Sequence, residues 1–343
     1  MNEPLPVVAE PTESRRARTP SRISSISTSV WFGSTRVVVL LVLIAAVAAY
    51  FPGYLQPSNF VNVLRQAALL ALISYGMTIT MIAAGMDISV GSVVALSSVA
   101  AAPFLVADHP RVLEGVAVAL GAGLVVGVVN GLAVSLLRIP PFIATYAMMQ
   151  IARALALVVS GGYAVYGLTT SFRWIGTGFV AGIPATLIVA LALFAVLHVL
   201  MRNTVFGRRI YALGANPKTA YHTGIPIRRT LISVYALSGL LAGIAGLVYA
   251  ARVNAAEPEI GDMFALDAIS VAVLGGIPFT GGQGSLVGML VGALIIAVLT
   301  TGLDIWGVSA LWQVFAKGLI ILLAVSLDIS LRRLQTGRWR LSR

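Results

Sequence analysis

Long apolar runs, separated by short polar or glycine-rich breaks, account for most of this 343-residue chain. They fall at 37–51, 67–84, 89–107, 112–136, 141–159, 183–201, 230–251, 264–280, 285–303 and 308–327. A helix needs roughly 20 mostly apolar residues to cross a bilayer. The pattern therefore predicts an all-α polytopic membrane protein with about ten transmembrane helices. The eighth run holds Gly275, Gly276 and Pro278 and leads into Gly281, Gly282 and Gly284, so it reads as broken or re-entrant. Irregular backbone survives at membrane depth only where protein or a water-filled cavity satisfies it. A second glycine-bounded break, Gly85 to Gly91, sits near the start of an earlier four-run block. Two such breaks are what an inverted repeat places in its two halves. Residues 1–35 are rich in Ser, Pro, Thr and Arg without an apolar period and are predicted to form a disordered tail. The transmembrane domain covers 36–328, and 329–343 reads as a basic tail.

Composition removes the soluble alternatives. Hydrophobic residues make up 58% and charged residues 10%, far from the usage of soluble domains. There is no cysteine, and His109, His198 and His222 show no metal-ligand spacing. The formal charge of +11 comes without a basic groove or a nucleic-acid module, so nucleic acid is not an expected partner. Its meaning is topological, because short cytoplasmic loops carry the excess of Lys and Arg. Arg15, Arg16, Arg18, Arg22 and Arg36 precede the first run, and Arg332, Arg333, Arg338, Arg340 and Arg343 follow the last. Both termini are then cytoplasmic, which requires an even number of crossings. The 202–229 loop carries Arg202, Arg208, Arg209, Lys218, Arg228 and Arg229 and no acid, and ten crossings place it inside. Outside remain Arg65, Arg111, Arg173 and Arg252, the last near Glu257, Glu259 and Asp262.

Small residues recur four apart at Gly123, Gly127 and Gly131, at Gly239 and Gly243, and at Gly284, Gly288 and Gly292. That spacing lets helix backbones approach closely in lipid. Asp87 and Ser89, in GMDISVG, either orient a gate or cap the third span. Arg153 and Lys317 lie inside runs, where charge is expensive and function is the first reading; snorkelling is the other. Asp267 and Asp304 read as caps or solvated span ends. Asn130, Thr145 and Gln150 serve either the solute path or interhelical hydrogen bonds.

The loop between the sixth and seventh runs reads GRRIYALGANPKTAYHTGIPIRR. Asn216 suits an N-cap, Pro217 the first helical position and Gly224 the left-handed residue after a helix. A short helix over 217–223 is predicted, too short to stand alone, and held by the membrane surface or by a partner protein. No phosphate-binding loop occurs, since Lys218 follows Pro217 and Lys317 precedes Gly318. No HExxH, GxSxG or paired-carboxylate motif points to an enzyme. An ion-coupled secondary transporter is the rival reading, weakened by the scarcity of central acids.

GANPKTAYHTGI resembles the cytoplasmic coupling motif of ATP-binding-cassette (ABC) importer permeases, in the ribose-type branch of the family shared with branched-chain amino-acid permeases. SYGMTITMIAAGMDISVGSVVAL, VNGLAVSLLRIPPFIATYAMMQIARALALVVSGG and LDAISVAVLGGIPFTGGQGSLVGMLVGALI agree, and the similarity runs from about 58 to 328. The resemblance implies a sugar-import permease of a bacterial inner membrane, working as a homodimer with a second copy or as a pseudodimer. It also implies two cytoplasmic ATPase subunits that use the ATP and an extracytoplasmic solute-binding protein. Asn216, Pro217, Ala220, Gly224 and Arg209 would then form the ATPase-coupling site. Asp87, Ser89, Asn130 and Arg153 are candidates for a gate or path. No cofactor is expected on this chain.

Overall fold

The structure, a computed structural model, describes residues 22–106, 110–319, 322 and 326. The expectations for residues 1–21, His109 and the 329–343 tail lie outside the described residues. Helix α1 is Arg22–Tyr50, so it begins inside the segment assigned to the tail. A 3-10 turn (Pro52–Leu55) leads to α2 (Pro57–Ile82), followed by α3 (Val90–Leu105), α4 (Val112–Ser135) and α5 (Pro141–Ser160). After α6 (Thr170–Thr177) come α7 (Ala185–Asn203), α8 (Val205–Ala215), α9 (Pro217–His222) and α10 (Ile227–Val253). The chain continues through α11 (Gly261–Leu274) and α12 (Leu286–Ile305), and 310–319 form α13.

Among the described residues six helices, α2, α4, α5, α7, α10 and α12, are long and apolar enough to cross a membrane. The apolar parts of α1, α3 and α11 are shorter. The chain is a polytopic helical membrane protein. At 1.5 Å per residue, α3 and α11 reach only about 24 and 21 Å, against about 30 Å of hydrocarbon. Four strands of two residues each make two antiparallel ladders, β1 (Val165–Tyr166) with β4 (Ala255–Ala256) and β2 (Phe179–Val180) with β3 (Ile183–Pro184). No apolar run covers 160–182, which holds β1, α6 and β2, with β3 at the start of the next run.

Helices α2, α3, α4 and α10 form the centre, and the glycines explain their closeness. A Cβ at Gly123 would strike the carbonyl of Gly239, one at Gly127 that of Tyr235, and one at Gly239 that of Gly123. The α4–α10 seam is thus backbone against backbone, which gains dispersion contacts where lipid supplies no hydrophobic drive. Gly288 and Gly292 seat α12 on α11 in the same way, against the carbonyls of Gly275 and Val271.

Helices α2 and α11 end alike. Gly85 N–H donates to Thr80 O (2.9 Å) and Ala84 N–H to Met81 O (3.0 Å), with Ala84 in the left-handed region at φ 58°. Ile277 N–H donates to Ala272 O (3.0 Å) and Gly276 N–H to Val273 O (2.8 Å), with Gly276 at φ 77°. Both are Schellman motifs, which satisfy carbonyls the helix end would otherwise orphan. Contacts fix relative depth: Gly76 of α2 lies on Ser238 of α10, and Gly246 of α10 on Val94 of α3. Gly91 of α3 lies against Gly261 of α11, one helix start on another. Two short helices therefore begin side by side inside the bundle, entered by irregular backbone at 83–89 and at 254–260.

Asp267 and Lys317 revise the sequence reading. The expected cap or solvated end is instead an ion pair, Lys317 Nζ lying 2.8 Å from Asp267 Oδ1 and 3.1 Å from Oδ2, with both residues buried. It ties α11 to α13. Asp304 accepts from Gln313 Nε2 at 2.7 Å across the turn between α12 and α13.

Candidate functional site

The first site is the break between α2 and α3. Ala84 and Gly85 turn the chain back into the bundle, and the absent Cβ of Gly85 leaves room for the Tyr235 hydroxyl. Asp87 then points inward, 1% exposed. Its Oδ1 accepts from Ser89 Oγ (2.5 Å) and Ser89 N–H (3.2 Å), and its Oδ2 accepts from Ser238 Oγ of α10 (2.7 Å). Asn130 of α4 donates through Nδ2 to Ser89 Oγ (2.8 Å) and lies 3.5 Å from Asp87 Oδ1. Thr145 of α5 closes the ring, its Oγ1 accepting from Ile88 N–H at 3.3 Å. A carboxylate away from water needs such donors, and bonds to a charged acceptor are the stronger kind. Asp87 also stands at the start of α3, where the helix dipole favours negative charge.

Three of the four gate candidates, Asp87, Ser89 and Asn130, thus share one hydrogen-bonded group. The sequence reading missed Ser238 and Tyr235; Ser238 carried no signal beyond its place beside Gly239 in a small-residue stretch. Asn130 Oδ1 is buried without a partner among the described residues.

Asp87, Ser89 and Asn130 face the protein interior, while their neighbours face a cavity. Met86 and Ile88, on either side of Asp87 in the extended break, line a space of about 480 Å³ with Phe142, Tyr146, Gln150 and Arg153 of α5 and Leu266 of α11. The fourth candidate, Arg153, is therefore on the cavity wall and not in the Asp87 group. The wall is mostly apolar with two polar groups, and its size suits a small solute. The carboxylate fixes the backbone that sets Met86 and Ile88 into that wall.

The second site lies at the end of the bundle where α2 stops. Asn216 caps α9, its Oδ1 accepting from the N–H groups of Lys218 (3.0 Å) and Thr219 (3.1 Å), with Pro217 in the first helical position. Gly224, at φ 78°, completes a Schellman motif in which Ile225 N–H reaches Ala220 O at 3.1 Å. The capped helix is Pro217–His222, one residue shorter than predicted. Ala220 is buried against the rest of the chain, so its small side chain seats α9 on the protein. The exposed face carries Lys218, Thr219, Tyr221 and His222, and Arg209 is exposed on the preceding α8. Helix α8, absent from the sequence reading, joins this face to both breaks. The missing Cβ of Gly214 admits Ile82 O and Gly282 N, Gly282 N–H donates to Ile82 O (2.8 Å), and Tyr211 Oη donates to Gly284 O (3.0 Å). Displacement of α9 and α8 would therefore reach the α2–α3 and α11–α12 breaks together.

The pattern of the family described as "Branched-chain amino acid transport system / permease component" matches residues 59–325. The chain belongs to this permease family. Among curated relatives of the permease, the ribose import permease protein RbsC of Bacillus subtilis (strain 168) is 42% identical over 293 residues, covering 84% of this chain and 90% of the relative. RbsC of Escherichia coli (strain K12) is 38% identical over 306 residues, 88% of this chain and 95% of its own. The L-arabinose ABC transporter permease protein AraH of Azospirillum brasilense is 36% identical over 292 residues, 85% and 86% of the two chains. No solved structure matches the permease.

Proposed function

We propose that this permease is the membrane subunit of an ABC importer that moves a sugar or sugar-like solute into a bacterial cell, driven by ATP hydrolysed in a separate subunit. The observation that carries it is the capped α9, exposed at its tip and tied through Gly214 to both interrupted segments. An ATPase that grips Tyr221 and its neighbours has a lever on the two places where the helices are broken. The names of the relatives, which include ribose and L-arabinose permeases, support a sugar as solute. Arg209, Asn216, Pro217, Ala220 and Gly224 build and flank the coupling element in this reading; Ala220 acts from inside it.

The proposed path is the cavity beside Met86 and Arg153. Phe142, Ile143 and Tyr146 of α5 are about half exposed around it, an apolar face that a second copy of the permease would cover to close the path. The adjoining starts of α3 and α11, each entered from a long helix (α2 and α10) through a break, support an inverted repeat, and the ten apolar runs support ten crossings with both termini in the cytoplasm. In this arrangement α6 and the two strand ladders lie outside, where a solute-binding protein docks.

In proteoliposomes with its ATPase and binding protein, the permease is expected to accumulate a labelled pentose or hexose only when ATP is on the ATPase side. Uptake driven by an ion gradient without ATP would refute the importer reading. Tyr221, 69% exposed, is the aromatic anchor of the α9 face. Tyr221→Ala is expected to weaken ATPase association by roughly 30-fold, the scale of a hot-spot truncation, without loss of folded permease. Unchanged association, measured by co-purification and titration, would move the docking face elsewhere.

Orientation is tested in a chain without cysteine. Thr219→Cys and Glu259→Cys are both at exposed positions. In intact cells an impermeant maleimide is expected to label Glu259→Cys and to label Thr219→Cys only after lysis. The reverse pattern would invert the topology.

A further inference from the structure

A second cavity, of about 600 Å³, lies between the C-terminal end of α7, the start of α8 and the start of α12. His198, Arg202, Arg208 and Tyr211 line one side, Ser285 and Val287 the other. Neither arginine has a carboxylate partner among the described residues, and the loop they belong to, 202–229, contains no acid. The facing wall is also electropositive. Of the first three N–H groups of α12, that of Gly288 is taken by Ser285 Oγ (3.0 Å), while those of Leu286 and Val287 have no backbone acceptor among the described residues. Two guanidinium groups and a 20-residue helix start thus converge on one space.

We propose that this cavity holds the phosphate of an anionic phospholipid of the leaflet on the α9 side of the membrane. Only the naming of that leaflet as cytoplasmic rests on the proposed orientation. Arginine forks match a phosphate bidentately, and the open N–H groups of α12 supply further donors. The rim selects lipid over a soluble anion or an acidic protein segment. Val196 and Val199, on the turns of α7 above Arg202, are 64% and 53% exposed, and Val205 and Val287 beside the cavity are 51% and 49% exposed. Acyl chains attached to the bound phosphate would run along these valines, burying apolar surface that an acidic peptide would leave uncovered. Juxtamembrane basic residues gain about 1 kcal/mol each from an anionic leaflet.

Native mass spectrometry of the full-length permease in mild detergent tests this with phosphatidylglycerol, phosphatidylcholine and inorganic phosphate as probes. Phosphatidylglycerol is expected to bind in preference to phosphatidylcholine, and millimolar phosphate is not expected to displace it. Arg202→Gln and Arg208→Gln are expected to weaken that binding roughly five-fold each, and the double variant roughly 30-fold, on a scale of about one charge per 1 kcal/mol. Arg228→Gln/Arg229→Gln, which removes the same charge from the same loop, is expected to leave it unchanged. Equal loss in that control would reduce the effect to net charge and overturn the site. So would equal binding of phosphatidylcholine, or displacement by free phosphate. Unchanged lipid binding in the double variant together with lost ATPase association would assign the cavity to the protein partner instead. Both arginines are exposed, so the variants are expected to fold; monodispersity on gel filtration verifies that.

Discussion

Asp87→Ala is expected to abolish transport and to destabilise the permease. The substitution removes the acceptor of Ser89 Oγ, Ser89 N–H and Ser238 Oγ together. Each buried donor left unpaired costs about 1–3 kcal/mol, so a loss of roughly 3 kcal/mol or more is expected, within the range of the largest single-residue effects. The break would lose the anchor that sets Met86 and Ile88 into the cavity wall. Asp87→Asn is the discriminating companion. Its amide oxygen can still accept from Ser89, and the Ser238 hydroxyl can rotate to accept from the amide nitrogen, since a hydroxyl serves as donor or acceptor. Near-normal thermal stability and partial uptake are therefore expected for Asp87→Asn, with neither for Asp87→Ala. Equal behaviour of the two in a thermal-shift and uptake series would mean that the hydrogen bonds do not hold the break.

Gly214→Val is expected to uncouple the importer. A Cβ at Gly214 would overlap Ile82 O and come within 2.5 Å of Gly282 N, so α8 must retreat from both breaks at once. The atoms it meets are backbone, which cannot move aside as a flexible side chain would. Uptake is expected to fall to background while the ATPase still associates, because the exposed face of α9 is untouched. Gly121→Ala is the control: nothing lies within 4 Å of its Cβ, and Ala is the better helix former by about 1 kcal/mol. Normal uptake by Gly214→Val at normal abundance would show that α8 does not carry the motion.

What could be read in advance followed the range of the interactions. The cap of α9 was legible because Asn216, Pro217 and Gly224 act within a few positions of the residues they serve. The glycine seams were legible because period four maps directly onto one helix face. The Asp87 group was not, since Ser238 stands 151 positions away and only the packing of α10 brings it near. The end of α2 carries no such local signal: Ala84, not Gly85, takes the left-handed conformation, and Gly85 is kept small by Tyr235. The pair Asp267–Lys317 was hidden for the same reason, Asp267 being explicable alone as a span-end charge and Lys317 as a functional or snorkelling one. Helix α8 escaped because the basic character of its stretch was absorbed into the topology argument. Apolar composition does not distinguish a full-length helix from a shorter one entered by irregular backbone, so the short reach of α3 and α11 was not legible in their runs.

The position of α1 bears on how the molecule is made. It lies at the edge of the bundle and packs chiefly on α12, Val47 resting on Gly302 and the Tyr50 ring standing 5.9 Å from that of Trp306. More than 230 residues separate the end of α1 from the start of α12. At about 5–20 residues per second, a ribosome needs on the order of ten seconds or more to supply that partner. During the interval α1 has only lipid against Val38, Leu41 and Val42, which stay exposed even in the finished fold. Its early retention in the bilayer is therefore a matter of partitioning, and its docking on α12 must wait until that helix has been made.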